Sequence, residues 1–399
     1  MKVLVLNCGS SSVKYKLFDM PGKKVQAQGG IERIGLKDSF LKLTTSNHEK
    51  VSLERDIPEH TTGIEFILNT LTSKEYGCLQ TLDEITAVGH RIVHGGEKFN
   101  SSVLITEEVI EQIAQCSDLA PLHNPANLKG IYTISKLLPG VPQIGVFDTA
   151  FHQTMPDYVY MYALPYDLYT QFGVRRYGFH GTSHKYVSQR ACEYLKTSPA
   201  GKRIITCHIG NGSSITAVKD GKSMDTSMGL TPVEGLMMGT RCGNVDAGAL
   251  TYIMDKKGLD SADISDMLNR QSGVLGIFGI SSDMRELEKA VAKQDKRAIL
   301  ATAMYNYRIK KCIGAYAAAL GGVDIIVFTG GVGENQSSCR YEACRDMEFM
   351  GIKIDEETNA QVKGEEAIIS ASDSEVTITV IPTNEELMIA LDVMDILGK

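Results

Sequence analysis

Two segments almost half a chain apart share one shape. Val3-Leu-Val-Leu-Asn-Cys-Gly-Ser-Ser-Ser-Val-Lys-Tyr-Lys-Leu-Phe18 reads as an apolar strand, a turn of small residues and a second strand. Ile204-Ile-Thr-Cys-His-Ile-Gly-Asn-Gly-Ser-Ser-Ile-Thr-Ala-Val-Lys219 repeats that order about two hundred residues later. The pair points to two similar domains within 399 residues, each opening on a glycine hairpin, although Gly/Ser hairpins are common enough to recur by themselves. Around the two copies, β-rich runs alternate with helical periodicity. Strands are expected at 2–6, 13–18, 86–93, 143–147, 203–207, 214–218, 324–329 and 377–381. Helices are expected at 63–71, 107–116, 125–138, 183–195, 246–257, 295–320 and 385–397. Asn124 ahead of Pro125 reads as a helix cap, and Gly321 with Gly322 as a helix stop. This alternation is that of an α/β protein with helices packed on mixed sheets. No low-complexity linker separates the halves, and the boundary is placed near residue 150.

Composition narrows the class of partner. Lys and Arg number 41 against 48 Asp and Glu, a formal charge of −7. A surface built for a nucleic-acid backbone would carry a basic excess or a basic run, and Lys310 and Lys311 are an isolated pair. The nine cysteines are scattered and never spaced C-x-x-C, which fits free thiols in a reducing cytoplasm better than a disulfide framework or a zinc ribbon. The apolar run 3–6 is too short for a signal peptide, and the stretch after Ile313 is broken by Asp324, short of a membrane span. A soluble cytoplasmic protein with no nucleic-acid or membrane partner is expected.

Polyphosphate binding needs backbone N–H groups pointing inward, and only Gly and small residues let the chain approach that closely. Three segments qualify, each following an expected strand: Asn7-Cys-Gly-Ser-Ser-Ser12, His208-Ile-Gly-Asn-Gly-Ser-Ser214 and Gly330-Gly-Val-Gly-Glu-Asn335. None is a Walker A loop, because Thr216 stands where the first glycine ahead of Gly221-Lys-Ser223 would be. Nor does any complete G-x-G-x-x-G: Gly331-Val-Gly333 runs on to Gln336, and Gly210-Asn-Gly212 to Ile215. A P-loop enzyme and a Rossmann dehydrogenase are thereby disfavoured. One glycine loop alone is more often a plain turn; three together favour a nucleotide.

Charged residues sit where α/β proteins place sites, at strand ends and in turns. Arg91 lies in Gly89-His-Arg-Ile-Val-His-Gly-Gly96, Asp148 in Gly145-Val-Phe-Asp-Thr-Ala-Phe-His152, and Arg241 in Met238-Gly-Thr-Arg-Cys-Gly243. Each also has a plainer reading as a surface ion pair. His180 and His184 have a zinc-like spacing, but the Glu of H-E-x-x-H is missing and Gly181 interrupts the first turn. A hydrogen-bonding or transition-state role for His180 reads better, with His184 capping or packing.

At this point the segments line up with a family. Asn7-Cys-Gly-Ser-Ser-Ser-Val-Lys14 and Gly178-Phe-His-Gly-Thr-Ser-His-Lys-Tyr-Val187 closely resemble the two signature segments of the acetate kinases. His208 to Gly212, Asp283-Met-Arg285, Gly331 to Asn335 and Pro382-Thr-Asn-Glu385 match in order, so that the resemblance runs from residue 1 to the last helix. It implies a duplicated actin-like, ribonuclease-H-like α/β fold, two domains with a nucleotide cleft between them. They would be an N-terminal domain of residues 1–150 plus 385–399 and a C-terminal nucleotide-binding domain of residues 151–384. The implied reaction is reversible transfer of the ATP γ-phosphoryl group to acetate, giving acetyl phosphate and ADP by direct in-line displacement, with Mg²⁺ (or Mn²⁺ in its place). A homodimer is implied as well. Carried over by motif, Asn7 and Glu385 resemble the metal-linked pair and Lys14 a phosphate contact. Arg91 and Arg241 resemble the arginines that hold the carboxylate and the moving phosphoryl group, Asp148 the catalytic aspartate and His180 a transition-state stabiliser. Nucleotide-binding segments would be His208, Ile209, Gly210, Asn211 and Gly212; Asp283, Met284 and Arg285; and Gly331, Val332, Gly333, Glu334 and Asn335. Val93, Leu122, Phe179 and Pro232 resemble the small apolar pocket for the substrate methyl group.

These roles also make chemical sense. Phosphoryl transfer asks mainly for alignment and charge neutralisation. Acetate, ATP and the phosphoryl group repel one another, and planar guanidinium groups fit both carboxylate and phosphate. Acetate is already ionised at neutral pH and has no proton to lose, so Asp148 is expected to orient Mg²⁺ or an arginine rather than to act as a general base. One methylene in an apolar pocket is worth only ~1–3 kcal/mol, so rejection of propionate should be incomplete. Three rivals stand behind this reading: a propionate or butyrate kinase, an actin-like nucleotide-driven binding protein, and a zinc hydrolase built on His180 and His184.

Overall fold

A computed structural model describes residues 1–44, 49–121 and 123–399 of the chain. The apolar run after Met1 forms β1 (Lys2–Cys8), in which Val3, Leu4, Val5 and Leu6 are all buried. A strand buried on both faces belongs inside a sheet. β1 accordingly pairs antiparallel with β2 (Ser12–Asp19) on one side and parallel with β6 (Ile85–Ile92) on the other. Beyond β2 lie β3 (Lys24–Glu32), β4 (Phe40–Thr44) and β5 (Lys50–Glu54); beyond β6 lie β8 (Gln143–Phe147) and the short β7 (Val103–Leu104). The order is β5-β4-β3-β2-β1-β6-β8-β7.

Alternation along β1 divides the core into two layers. Leu4 and Leu6 face Ile64, Ile67 and Leu68 of helix His60–Leu71 and Ile134 of helix Asn124–Leu137. Val3 and Val5 face Ile389 and Val393 of the last helix, Glu385–Ile396. That helix lies so close to β6 that a Cβ on Gly89 would stand 2.5 Å from Ile389 Cγ2, which is why only glycine fits there. These elements form one compact unit, Met1–Phe151 with Asn384–Lys399.

The second unit is His152–Thr383. Its strands are β9 (Arg203–Ile209), β10 (Ser213–Lys219), β11 (Lys222–Thr226), β12 (Ile325–Thr329), β13 (Ala367–Ile368) and β14 (Thr377–Val380), in the order β11-β10-β9-β12-β14-β13. β9 is antiparallel to β10 and parallel to β12, and β14 is parallel to β12. Read outward from β1 and from β9, the two sheets show the same sequence of antiparallel and parallel neighbours. The weak repeat in the sequence is therefore a duplicated fold. One face of this sheet packs Ile205, Cys207, Ile209, Ile215 and Ala217 against the long helix Lys296–Leu320. Gly321, at φ 69°, ends that helix as expected.

The opposite face meets helix Gly181–Tyr194 and is polar although buried: Thr206, Ser214, Thr216 and Thr226 are all fully inaccessible. Groups buried in this way require hydrogen-bond partners, and the site is built from them. Among the described residues no helix is long and apolar enough to cross a membrane, and every cysteine is a free thiol.

Candidate active site

In the first unit, parallel pairing sets the ends of β1, β6 and β8 side by side. Asn7 is in register with Arg91, and Arg91 with Val146, two residues before Asp148. The Asp148 backbone N–H donates to Ile92 O at 2.9 Å, fixing where its side chain starts. The Arg91 guanidinium then has Nη2 on Asp148 Oδ2, Nη1 donating to Asn7 Oδ1 at 3.2 Å, and Nε 4.0 Å from Glu385 Oε2. Arg91 and Asp148 do pair, but Asp148 is only 1% exposed, so the surface-pair reading does not hold. Burial would lower the Arg91 pKa, yet the Asp148 and Glu385 carboxylates outweigh it and hold it above its ordinary value. Glu385 is pushed up to about 7, by burial first and then by the Asp148 charge, against the pull of Arg91.

Two carboxylates thus share one guanidinium, and Arg91 Nε is buried without a hydrogen-bond partner among the described residues. The donors gathered here are hard oxygens (Asn7 Oδ1, Asp148 and Glu385) with surplus negative charge. That set suits Mg²⁺ or Mn²⁺. Lys14 is in register with Asn7 on β2 and exposed.

Backbone contacts that the sequence did not reveal hold this corner. Asn127 Oδ1 accepts from Val93 N at 3.1 Å while its Nδ2 donates to Cys8 O, tying the end of β6 to the end of β1. Asn124 is not the cap of its helix: His123 is, and the Asn124 side chain turns inward to bond both N–H and C=O of His94. A buried strand end outcompetes the helix terminus for that amide. Val93 is buried beside these contacts, and Leu122 lies outside the described residues.

In the second unit, three segments close around one cavity of about 760 Å³, lined by Gly210 and Asn211, by Ser282 to Arg285, and by Gly331, Val332, Asn335 and Gln336. Gly330 at φ 78° lets β12 turn into this wall; a Cβ there would stand 2.8 Å from Ile209 O. Gly333 and Glu334 act behind the wall. Glu334 Oε1 accepts from Gly330 N at 2.9 Å and Thr383 N at 3.1 Å, and Gly333 O accepts from Arg340, a guanidinium with no exposed surface. Asp283 caps helix Met284–Ala292 through Arg285 N and pairs with the Arg285 side chain at the cavity rim.

The β9–β10 hairpin tip carries the cavity on one side and the cations on the other. A Cβ on Gly212 would be 3.2 Å from Arg241 Nη1 and 3.6 Å from His180 Nε2. Arg241 makes no ion pair among the described residues; its Nη1 donates to Pro232 O at 3.4 Å, and burial lowers its pKa. His180 occupies the left-handed region at φ 55°, ahead of helix Gly181–Tyr194, a strained conformation of the kind that clusters at functional sites. Its ring stacks on His208 at 4.3 Å, and His208 Nδ1 in turn meets Ser183 Oγ, which meets Thr383 Oγ1. His208 and Ile209 therefore do not wall the cavity. His184 is fully buried, with Nδ1 on Thr206 Oγ1 and Nε2 on Ser214 Oγ, both at 2.7 Å, so neither nitrogen is left for zinc. Phe179 is buried, and its carbonyl accepts from His152 Nε2 at 3.0 Å.

The acetokinase family model matches residues 2–391. The acetate kinase of Bacteroides thetaiotaomicron is 70% identical over 399 residues, the whole of both chains. The crystal structure of Porphyromonas gingivalis acetate kinase superposes with a TM-score of 0.97 at 62% identity, covering 99% of each chain. A propionate kinase from Francisella tularensis superposes at 0.91 with 43% identity, covering 98% of each.

Proposed function

The chain belongs to the acetokinase family, and from that premise we propose how its residues carry out the reaction. The fold is the duplicated actin-like α/β fold, and the activity is that of an acetate kinase, a phosphotransferase with a carboxyl group as acceptor. In the proposed mechanism the second unit, His152–Thr383, takes the nucleotide in the 760 Å³ cavity, a volume suited to a ligand of that size. Arg241 and His180 then meet the γ-phosphoryl group, where negative charge spreads over three equatorial oxygens in the transition state. The first unit, Met1–Phe151 with Asn384–Lys399, presents Arg91 to the acetate carboxylate, and Lys14 adds a phosphate contact. Val93, Leu122, Phe179 and Pro232 take the methyl group. The carboxylate oxygen attacks the γ-phosphorus in line, the P–O bond to ADP breaks, and ADP leaves with the electron pair; no proton moves.

Asn7, Asp148 and Glu385 would hold Mg²⁺, or Mn²⁺ in its place, which when bound neutralises phosphate charge. Asp148 orients Arg91 and this donor set instead of accepting a proton. The observation that carries the reading is Arg241: a half-buried guanidinium with no acidic partner among the described residues, beside His180 at Gly212 of the same hairpin tip whose Gly210 and Asn211 line the nucleotide-sized cavity. A cytoplasmic homodimer completes the proposal. Incubation with ATP, Mg²⁺ and a panel of short carboxylic acids, trapping acyl phosphate as hydroxamate, tests it. Acetyl hydroxamate should dominate; ADP released without any trapped acyl phosphate would reduce the protein to an ATPase. A second reading, a propionate kinase, draws on the likeness to the Francisella enzyme and would appear as a propionyl hydroxamate excess.

A further inference from the structure

Ser214 stands between two imidazoles. Its Oγ lies 2.9 Å from His180 Nδ1 and 2.7 Å from His184 Nε2, and the residue is fully buried on β10. A hydroxyl has one proton and two lone pairs, so bridging two rings it either accepts from both or donates to one and accepts from the other. The direction is decided at the far end of the same chain of groups. His184 Nδ1 lies 2.7 Å from Thr206 Oγ1, and Thr206 Oγ1 donates to Thr216 O at 3.5 Å. A carbonyl only accepts. We take the Thr206 proton to point to that carbonyl, so that Thr206 accepts from His184 Nδ1–H. Neutral His184 then offers a lone pair at Nε2, Ser214 donates to it, and the Ser214 oxygen accepts from His180 Nδ1–H. Burial first, then His152 and His208, hold His184 well below the ordinary histidine range, which keeps it neutral as this order requires.

We propose that this chain, His180–Ser214–His184–Thr206–Thr216 O, fixes the His180 proton on Nδ1 and turns Nε2 outward, with Ser214 as the positioning residue. His180 then meets a phosphoryl oxygen only as the doubly protonated imidazolium. The inference rests on the reading that His180 acts on the phosphoryl group. A neutral ring in this tautomer presents a lone pair at Nε2, which repels an electron-rich oxygen; the imidazolium presents an N–H. Among the groups facing His180 are His208 on β9, stacked at 4.3 Å, His184 on its own helix at 6.5 Å, and Arg241 across Gly212; His152 faces His184 at 5.8 Å. None of these four is acidic. The Ser214 oxygen is the group in this set that favours the charged ring.

The test uses the full-length enzyme, with kcat followed against pH and the ring nitrogens read by ¹⁵N NMR. In the unmodified enzyme, neutral His180 should carry its proton on Nδ1, and kcat should fall on the alkaline side as the ring loses its second proton. Ser214→Ala should move that alkaline limb down by about one to two pH units, the worth of a hydrogen bond to a charged group. Thr206→Val, which leaves Ser214 and every histidine in place, should do the opposite. His184 is freed to carry its proton on Nε2, Ser214 turns round, neutral His180 becomes an Nε2–H donor, and activity persists to higher pH. An Nε2–H tautomer of His180 in the unmodified enzyme, or an unmoved limb in Thr206→Val, overturns the inference. Full kcat in His180→Gln would instead overturn the reading of His180 on which it rests, so the two failures are distinct.

Discussion

Replacing Asp148 by Asn removes one charge and almost no volume, and it separates two chemistries that a loss of activity alone would not. Asp148 is buried against Arg91 Nη2, while Asn7 and Glu385 hold the rest of the guanidinium. A hydrogen bond to a charged group is worth about 1.5–3 kcal/mol, and stripping a buried ion of its partner costs about 3–5 kcal/mol. Glu385 stays within 4.0 Å of Arg91, so the lower part of that range applies. A cost of about 3 kcal/mol corresponds to a loss of about 100- to 200-fold in kcat/KM for acetate. Initial rates of ADP formation, with acetate varied at several Mg²⁺ concentrations and several pH values, give the readout. If Asp148 orients Arg91 and the metal donors, part of the loss is recovered at raised Mg²⁺ and the acid limb of the profile stays where it was. A loss identical at every Mg²⁺ level, with the acid limb moved or abolished, would refute the argument and make Asp148 a proton acceptor after all.

Arg340→Met should destabilise the second unit. It leaves Asn359 Oδ1, Asn359 O, Val362 O and Gly333 O without the donors they now have at 2.7–3.0 Å, offset in part by relief of a buried cation. A net cost of about 3 kcal/mol lowers Tm by about 6–12 °C by calorimetry, and KM for ATP rises because Gly333 is released. A melting curve unchanged to within about two degrees would contradict this. Val93→Ala enlarges the buried end of β6, and the propionate-to-acetate ratio of kcat/KM should rise about tenfold in a direct comparison of the two acids; an unchanged ratio removes Val93 from the pocket.

How much of this could be read from the sequence depends on whether a residue acts through its own pattern or through a distant backbone. β1 and β9 were legible because each is a continuous apolar run ending in a glycine turn, and β8 was placed to the residue. β3 was not: Gly29 and Gly30 erase its strand signal, and its conformation is imposed by pairing. A Cβ on Gly29 would stand 2.4 Å from Lys42 O, so the glycines that hide the strand are what lets β4 close on it. The same division runs through the site. Arg91, Asp148 and Arg241 were legible as charges at strand ends and turns, and the first two glycine segments as hairpin turns, because their chemistry is local; Gly330–Asn335, expected as a loop, is instead a short helix. Arg340 has the same composition signal as any surface arginine; what distinguishes it is burial against Asn359 and Val362, about twenty residues on. Asn127 acts on Cys8, and Ser214 acts on two histidines thirty or so residues away, on another element. A polar residue in a strand reads as a solvent-facing position under period-two logic. Here Thr206, Ser214 and Thr216 lie under a helix instead, and the free energy of burying them is recovered only by their mutual hydrogen bonds and those of the histidines. Such a layer is costly for a core and has no packing advantage over an apolar one, which is the physical reason to look for its purpose at His180, where it ends.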